Sequence, residues 1–238
     1  TLRAKKHCYV EKPLALNDQE LKDIKKAYYE SNNILMVGFN RRFSEFSKQV
    51  KDIMLGSKVI MTYRINAGYI SSNEWQQDMK QGGGRIVGEI CHFLDLLQYI
   101  ANSKISNVFA QSIDQSTSNC DPDDLVVIIN FDNGSIGTII YSSSGNTNFP
   151  KERIEVFGSN KVAIIDSWSK LVIKGDGINI KKKSYLSSKK GFEEEMFSLV
   201  KSIINKTEPI PIEDIFNVSN ATFAIQKSIR QGEVISLY

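Results

Sequence analysis

The segment that decides the fold is residues 125–141, Leu-Val-Val-Ile-Ile-Asn-Phe-Asp-Asn-Gly-Ser-Ile-Gly-Thr-Ile-Ile-Tyr. Its two apolar runs, 125–131 and 136–141, are rich in β-branched side chains and flank Asp132-Asn133-Gly134. An Asn-Gly pair between two strand-like runs is a strong signal for a β-hairpin. Because strands joined by so short a turn pair antiparallel, the segment predicts an antiparallel sheet in this part of the chain.

Further strand-like runs lie on both sides of this hairpin, and Gly158-Ser159-Asn160 forms a second turn signal. Residues 59–65 alternate as a half-buried strand does. A sheet of this kind packs one face on helices and leaves the other to water or a partner. The additional predicted strands are 108–113, 153–157, 162–166 and 171–174.

The first 40 residues have a different pattern. Residues 8–11 are a short strand-like run that Pro13 ends. Asn17, with Glu20 three residues later, has the pattern of a capping box, and apolar residues at helical spacing predict a helix over 18–31. A buried strand over 34–38 follows. This strand–helix–strand is the unit of a parallel sheet, and it is too small to stand alone.

The sequence therefore predicts an α+β protein with an open, mainly antiparallel sheet packed on helices, preceded by a residual βαβ piece of a Rossmann domain. We place the boundary after residue 40, so that 1–40 form the residual piece and 41–238 the α+β domain. The remaining helices are predicted at 45–55, 75–80, 85–100, 192–205 and 213–230.

The bulk composition excludes several classes of protein. Of 238 residues, 41% are hydrophobic and 24% charged, as in ordinary globular proteins. The net charge of +3 is too small to imply nucleic acid, and the lysines of 181–183 and 189–190 are interpreted as a solvated loop. No apolar run approaches the roughly 20 residues that span a bilayer, so no membrane partner is expected.

The cysteines indicate the compartment. Cys8, Cys91 and Cys120 are far apart and odd in number, so neither a disulfide framework nor a metal site is predicted. No signal peptide is visible. These features favour a reducing, cytoplasmic setting.

Lys12 is the first candidate for chemistry, within Tyr-Val-Glu-Lys-Pro over residues 9–13. It stands at the C-terminal end of a strand, where open α/β sheets bind ligands. The other reading is an ordinary surface lysine, which this segment alone favours. A cis bond between Lys12 and Pro13 is compatible with the sequence.

His92 is the second candidate, on a predicted helix that is apolar nearly all round. Such a histidine is often a satisfied core residue. However, Glu89 lies three residues before it and Asp95 three residues after it, so both acids are its helical neighbours. Either could fix its tautomer or raise its basicity. Burying two acids beside a histidine is costly unless the charges are paired, so core packing alone does not explain the pattern. This favours a catalytic or ligand-contacting histidine. A lysine and a histidine that converge can polarise a hydroxyl and remove its proton.

Three further features are candidates for substrate contact. Gly82-Gly83-Gly84 lacks the spacing of a dinucleotide loop and indicates a close backbone approach or a hinge, where amide groups could hold a ligand oxygen. Arg41 and Arg42 could grip an anionic ligand or be solvated. Trp75 and Tyr69 could line a sugar pocket or pack in the core.

These segments resemble one family. Val10-Glu11-Lys12-Pro13, residues 37–43, and Gly82-Gly83-Gly84 with His92 and Asp95 occur in the order and spacing of the glucose-fructose oxidoreductase / inositol dehydrogenase (Gfo/Idh/MocA) family. The resemblance implies an NAD(P)-dependent oxidoreductase that acts on a sugar, sugar nucleotide or cyclitol. It also implies an N-terminal Rossmann domain and a C-terminal open sheet that often serves as an oligomer interface.

The resemblance assigns roles to individual residues. Lys12 corresponds to the family's catalytic lysine, within a cofactor-binding Glu11-Lys12-Pro13, and His92 to its catalytic histidine. Glu89 and Asp95 are the supporting acids. The family's usual aspartate four residues before the histidine is Gly88 here, and Glu89 is the nearest acid that could replace it. The residues expected to bind substrate are Arg41, Arg42, Gly83, Gly84 and Trp75.

The other departure concerns the nucleotide. The chain has no glycine-rich loop of the kind that holds a pyrophosphate. We therefore expect the C-terminal substrate portion of a dehydrogenase, inactive alone and with no NAD or NADP bound, which forms a homo-oligomer through its open sheet face. The alternative is a non-catalytic carbohydrate-binding or oligomerisation module of the same fold.

Overall fold

The computed structural model describes residues 1–71, 73–113, 123–184 and 189–238. Two strands at the N-terminus, β1 (Cys8–Val10) and β2 (Leu35–Val37), pair in parallel and are joined by helix α1 (Asp18–Ser31). The Asn17 side chain accepts a hydrogen bond from the Glu20 amide at 2.9 Å, and the Glu20 carboxylate accepts one from the Leu16 amide at 2.8 Å. The predicted strand–helix–strand and its cap are both present.

The described residues also form a nine-stranded sheet in the order β10-β9-β8-β7-β3-β6-β5-β4-β11. Every neighbouring pair is antiparallel except β3 and β6, which are parallel. The strands are β3 (Ile60–Asn66), β4 (Ile105–Ser112), β5 (Leu125–Phe131), β6 (Ile136–Ser142), β7 (Glu152–Gly158), β8 (Lys161–Asp166), β9 (Lys170–Gly175), β10 (Ile178–Lys183) and β11 (Ile235–Ser236). The predicted open and mainly antiparallel sheet is confirmed.

The two faces of this sheet differ. One face packs on helices: α5 lies against β4, and the Leu97 side chain of α3 lies over Gly137 of β6. The opposite face is not covered by any described element and exposes a row of apolar side chains. We call this row the outer sheet face, namely Ile60, Val126, Ile128, Ile136, Ile140 and Phe157. The remaining helices are α2 (Glu45–Met54), α3 (Cys91–Ala101), α4 (Phe192–Asn205) and α5 (Ile212–Gln231).

Some predicted elements differ from the structure. The lysines of 181–183 lie in the edge strand β10, so their interpretation as a loop is wrong. Asp176 and Gly177 both have positive φ, the conformation of a tight hairpin turn, and this turn pairs β10 with β9. Lysines on an edge strand discourage pairing with other chains. The histidine helix, predicted over 85–100, begins as a π-turn (Ile86–Ile90) before α3.

The structure bears on the expectations about the cysteines and about membrane-spanning segments. Cys8 and Cys91 are free thiols, and Cys120 lies outside the described residues. Of the helices that can be described, none is long and apolar enough to cross a bilayer.

Candidate active site

The structure brings Lys12 to the start of the histidine helix. Lys12 follows β1, and its peptide bond to Pro13 is cis. Its ammonium donates a hydrogen bond to the Gly88 carbonyl with Nζ and O 2.7 Å apart. An ammonium has three donors, so this contact positions Lys12 and leaves donors for a ligand oxygen.

The π-turn before α3 provides that carbonyl. A π-turn widens a helix locally and is frequent at functional sites. Within it, a Cβ on Gly88 would lie 2.8 Å from the Gly82 carbonyl oxygen, closer than real Cβ atoms approach. The backbone therefore admits only glycine at position 88 without a shift. An aspartate at this position, as in the family pattern, would not fit this backbone without a shift.

His92 lies in the first turn of α3 and is almost fully buried. Its ring meets the edge of Phe39 with centroids 5.9 Å apart, and its Nδ1 is buried without a hydrogen-bond partner. Burial, followed by the nearby charges of Arg41 and Lys12, holds the pKa of His92 well below its ordinary range. The imidazole is therefore neutral at neutral pH and can accept a proton.

Glu89 joins a network that sequence patterns did not reveal. Its carboxylate accepts a hydrogen bond from the Tyr141 hydroxyl and pairs with Lys151 and Arg85, each N–O distance being 3.4 Å. Burial opposes ionisation, but Lys151, Tyr141 and Arg85 outweigh it and lower the pKa of Glu89. Tyr141 lies near the end of β6 and Lys151 directly precedes β7, so no local motif marks either residue.

Asp95 does not contact His92. Its carboxylate forms a buried, bidentate pair with Arg42, at 2.9 Å to Nε and 2.5 Å to Nη2. Burial raises the pKa of Asp95 to about 6 despite Arg42, so the pair is charged at neutral pH. In the described part of the chain, no hydrogen bond links His92 to either neighbouring acid.

The expected grip of Arg41 and Arg42 on an anionic substrate is not what the structure shows. Arg41 is buried and binds Glu152 through Nε at 2.9 Å and Nη2 at 2.8 Å, and Arg42 is held by Asp95. Both guanidinium groups are thus committed to buried carboxylates, because an unpaired buried charge is too costly. They connect elements rather than face an open substrate site.

The glycine turn has the expected close backbone approach. A Cβ on Gly82 would lie 2.5 Å from the backbone of Gln76, and both Gly83 and Gly84 have positive φ. The amides of Gly82 and Gly83 already donate to the Asp78 carbonyl at 2.8 and 3.0 Å. The sequence suggested that these amide groups could hold a ligand oxygen. In the structure the Gly83 amide is instead bound within the turn.

Trp75 and Tyr69 are both largely exposed, so neither packs in the core. Trp75 lies on a short 3₁₀ turn, Trp75–Gln77, in place of the helix predicted over 75–80. Its exposed indole is available to a ligand.

The reacting end of a dinucleotide site fits these residues, and the phosphate end does not. Lys12, with free donors, and the unpartnered Nδ1 of His92 are polar groups that a nicotinamide and a bound hydroxyl would approach. The sequence offers no glycine-rich turn between a strand and a helix to cradle a pyrophosphate.

Comparisons with known proteins agree with this geometry. Residues 48–164 match the family described as GFO/IDH/MocA C-terminal domain. An uncharacterized oxidoreductase, YrbE of Bacillus subtilis, is 25% identical over 98% of this chain and 72% of its own length. A myo-inositol 2-dehydrogenase of Thermotoga maritima is 31% identical over 66% of this chain and 48% of its own length.

Solved structures share the fold. A levoglucosan dehydrogenase, in complex with NADH and levoglucosan, superimposes with a TM-score of 0.81 at 18% identity. The match covers 99% of this chain and 75% of that enzyme. The sheet, the helices and the N-terminal strand–helix–strand are therefore common to both proteins.

Proposed function

Because this chain belongs to the Gfo/Idh/MocA family of oxidoreductases, we propose that it supplies the substrate side of a site that oxidises a hydroxyl group of a sugar, sugar nucleotide or cyclitol. The observation that carries the proposal is the contact between Lys12 and Gly88, which places a catalytic-type lysine beside the start of the histidine helix. The related myo-inositol 2-dehydrogenase supports a polyol substrate. The alternative of a non-catalytic module gains no support, since these relatives are named as oxidoreductases or dehydrogenases.

Lys12 would bind the oxygen that reacts. One donor of its ammonium is fixed on the Gly88 carbonyl, so the remaining donors are directed without the mobility of a free lysine chain. A cation held at the oxygen stabilises the negative charge that develops there as the proton leaves.

His92 would take that proton. Its imidazole is kept neutral by burial and by neighbouring cations, so it does not have to lose a proton before it can act as a base. When bound, NAD or NADP would accept the hydride that leaves the carbon atom bearing the reacting hydroxyl group. The nearby cations disfavour the imidazolium that results, which favours onward release of the proton.

Glu89 would act in place of the acid that is missing at position 88. It does not contact His92 but binds Tyr141 and Lys151, and both Glu152 and Lys151 act electrostatically on His92. Its role would be to position Lys151 near the imidazole, and the loss of Glu89 should alter the pH profile more than substrate affinity.

The proposal is tested in the full-length natural protein, assayed for NAD⁺- and NADP⁺-linked oxidation of a panel of cyclitols and aldoses. His92→Gln should lower kcat by about 10²- to 10⁴-fold, and Lys12→Met by about 10²- to 10³-fold. The matched control is His7→Gln, because His7 lies just before β1 and its ring accepts a hydrogen bond from the Ile34 amide. Unchanged turnover in His92→Gln would remove this residue from the mechanism.

The cofactor proposal is tested separately on the 238-residue chain. Titration with NADH and NADPH should show weak or no binding, since this sequence has no glycine-rich loop of the kind that cradles a pyrophosphate. Micromolar affinity would overturn this expectation.

We further propose that the outer sheet face is the contact between copies in a homo-oligomer. Val126 and Ile140 face each other across β5 and β6, while Ile60, Ile136 and Phe157 form a row across three neighbouring strands. An apolar row of this extent is typical of an interaction surface. Ile140→Lys should reduce the assembled mass measured by light scattering, whereas Leu55→Lys, at an exposed apolar residue after α2, should not. A wild-type chain that stays monomeric at high concentration would contradict the proposal.

A further inference from the structure

A basic cavity lies at the far end of α3 from His92. It has a volume of about 470 Å³, is open to solvent on one side, and is lined by α2, the turn after α3, and the segment that joins α4 to α5. Tyr99, in its wall, is about 10 Å further along α3 than His92 at 1.5 Å per residue. The cavity is therefore separate from the candidate active site. A volume of this size suits a small molecule.

The charges around the cavity are unbalanced. Lys48, Lys51 and Lys104 line it, together with Arg42 and a single acid, Asp214. Asp214 lies 3.7 Å from Arg42. In the described part of the chain none of the three lysines forms a salt bridge. The cavity consequently carries a surplus of positive charge.

Aromatic rings contact two of these lysines. The Lys51 ammonium lies 4.1 Å from the centre of the Tyr99 ring, and the Lys48 ammonium lies 6.0 Å from that of Phe43. Burial, and then repulsion by Arg42, lower the pKa of Lys51. An anion placed beside Lys51 would offset the repulsion by Arg42.

The end of α3 does not account for these cations. Lysines often lie near a helix C-terminus because its carbonyls are partly negative. Here the carbonyls of Gln98 and Tyr99 accept hydrogen bonds from the Asn102 and Ser103 amides. No hydrogen bond joins a lysine of the cavity to these carbonyls among the described residues.

Gln98 adds a second, independent indication of a ligand. Its side chain is buried and lines the cavity; its Nε2 donates to the Asp214 carbonyl at 3.2 Å, and its Oε1 has no partner. A buried amide oxygen without a partner is costly. A hydroxyl group of a ligand in the cavity would satisfy it.

We propose that this cavity binds a small phosphorylated metabolite, with the phosphate between Lys48 and Lys51 and a hydroxyl group at Gln98. Lysine ammonium groups bind phosphate as point charges without a fixed geometry, which matches flexible side chains that surround a cavity. The site is distinct from the hydride-transfer site, and its occupation does not depend on the proposed function.

The test measures stabilisation of the chain by inorganic phosphate and by glycerol 3-phosphate, at an ionic strength held constant with sodium chloride. A ligand that binds only the folded state raises Tm with its concentration. Wild type should show such a rise, and the glycerol ester should gain affinity over inorganic phosphate through its hydroxyl groups.

Three variants make the test specific. Lys48→Gln combined with Lys51→Gln should weaken binding by about tenfold or more. Lys181→Gln removes one equal charge from the exposed edge strand β10 and should change affinity less than about twofold. Asp214→Asn should tighten binding several-fold, since it removes the acid of the cavity.

Two results would overturn the proposal: no rise in Tm beyond that given by sodium chloride, or an equal loss in Lys181→Gln. If circular dichroism shows that the double variant does not fold, the Asp214→Asn variant provides the test. Misfolding cannot explain a gain of affinity. Unchanged affinity in Asp214→Asn would then contradict the proposed placement of the phosphate.

Discussion

Gly88 shows how one residue sets the local chemistry. Its missing Cβ allows the Gly82 carbonyl to approach, and its own carbonyl receives Lys12. In this chain a backbone oxygen therefore positions the lysine. The family's acid at this position would collide with Gly82, so the acidic function moves to Glu89 under the proposed mechanism.

Gly88→Ala tests this packing. The added methyl group would contact backbone, which cannot move aside as a side chain does, and should destabilise the chain by about 1–3 kcal/mol. Urea unfolding measures the change. Gly137→Ala is a suitable comparison, because its Cβ would meet the side chains of Leu97 and Phe131 at 3.2 and 3.3 Å. A cost for Gly88→Ala no larger than that of Gly137→Ala would contradict the interpretation.

Glu195 should make stability depend on pH. It is buried on α4, where Tyr9 donates to one carboxylate oxygen at 3.4 Å and the other has no partner. Burial, followed by the charge of Glu11, raises the pKa of Glu195 from 4.5 to about 7. The folded state therefore binds a proton that the unfolded state has released, and this contribution to stability is lost as pH rises from about 4.5 to about 7.

Glu195→Gln removes this dependence. The free energy of unfolding, measured in urea at pH 5 and pH 8, should fall less with rising pH in the variant than in wild type. Glu193→Gln alters an exposed residue on the same helix and should leave the wild-type dependence intact. Parallel profiles for wild type and Glu195→Gln would rule out the effect.

Some residues of the site stand in recognisable sequence segments, whereas others have contacts that appear only in the folded chain. Lys12 and His92 stand in recognisable segments, and the structure brings those segments together. The ion pairs of Arg41 and Arg42 are not visible in the sequence, because their partners, Glu152 and Asp95, are distant along the chain and no local pattern shows such pairing. Lys151 was missed for the same reason, since it meets Glu89 only through the fold.

The elements were predictable where local signals agree. At α1, the cap, the acidic first turn and the apolar spacing all indicate the same helix, and its bounds match those predicted. The π-turn before α3 has no sequence period of its own. It depends on the approach of Gly82 to Gly88, a contact that only the folded chain contains.

Asn17→Ala should weaken the α1 element. It removes the side-chain oxygen that accepts from the Glu20 amide and should cost about 1 kcal/mol in the free energy of unfolding. Hydrogen exchange of the first-turn amides, read with denaturant unfolding, measures the loss. Asn17→Asp retains an acceptor and should behave nearly as wild type. Unaltered protection of the Glu20 amide in Asn17→Ala would exclude this role for the cap.

Across the whole molecule, Glu152 links the segment that follows β2 to the large sheet. Its carboxylate on β7 accepts from Arg41 after β2, from Tyr63 of β3 at 2.6 Å and from the Trp168 indole at 2.7 Å. Burial opposes ionisation, but Arg41 outweighs it and lowers the pKa of Glu152. Buried residues of both parts also form one continuous core.

Glu152→Gln should therefore cost about 3–5 kcal/mol, because it leaves the Arg41 charge buried and uncompensated. Denaturant unfolding followed by tryptophan fluorescence reports the change near Trp168. Glu155→Gln, on the same strand but paired with Arg153 at the surface, should cost less than about 1 kcal/mol. Similar costs for the two variants would show that this carboxylate does not hold the parts together.

The central position of β3 determines the order in which the strands can pair during synthesis. Neighbouring strands β4, β5 and β6 can pair as soon as they are made, and so can β7 to β10, but these two groups meet only through β3. Translation proceeds from the N-terminus at about 5–20 residues per second, so β3 leaves the ribosome several seconds before β6 and β7 exist. During that interval both of its edges are unpaired, the condition in which strands join the wrong neighbour. The nascent chain is accordingly most vulnerable to aggregation before residue 158 has emerged.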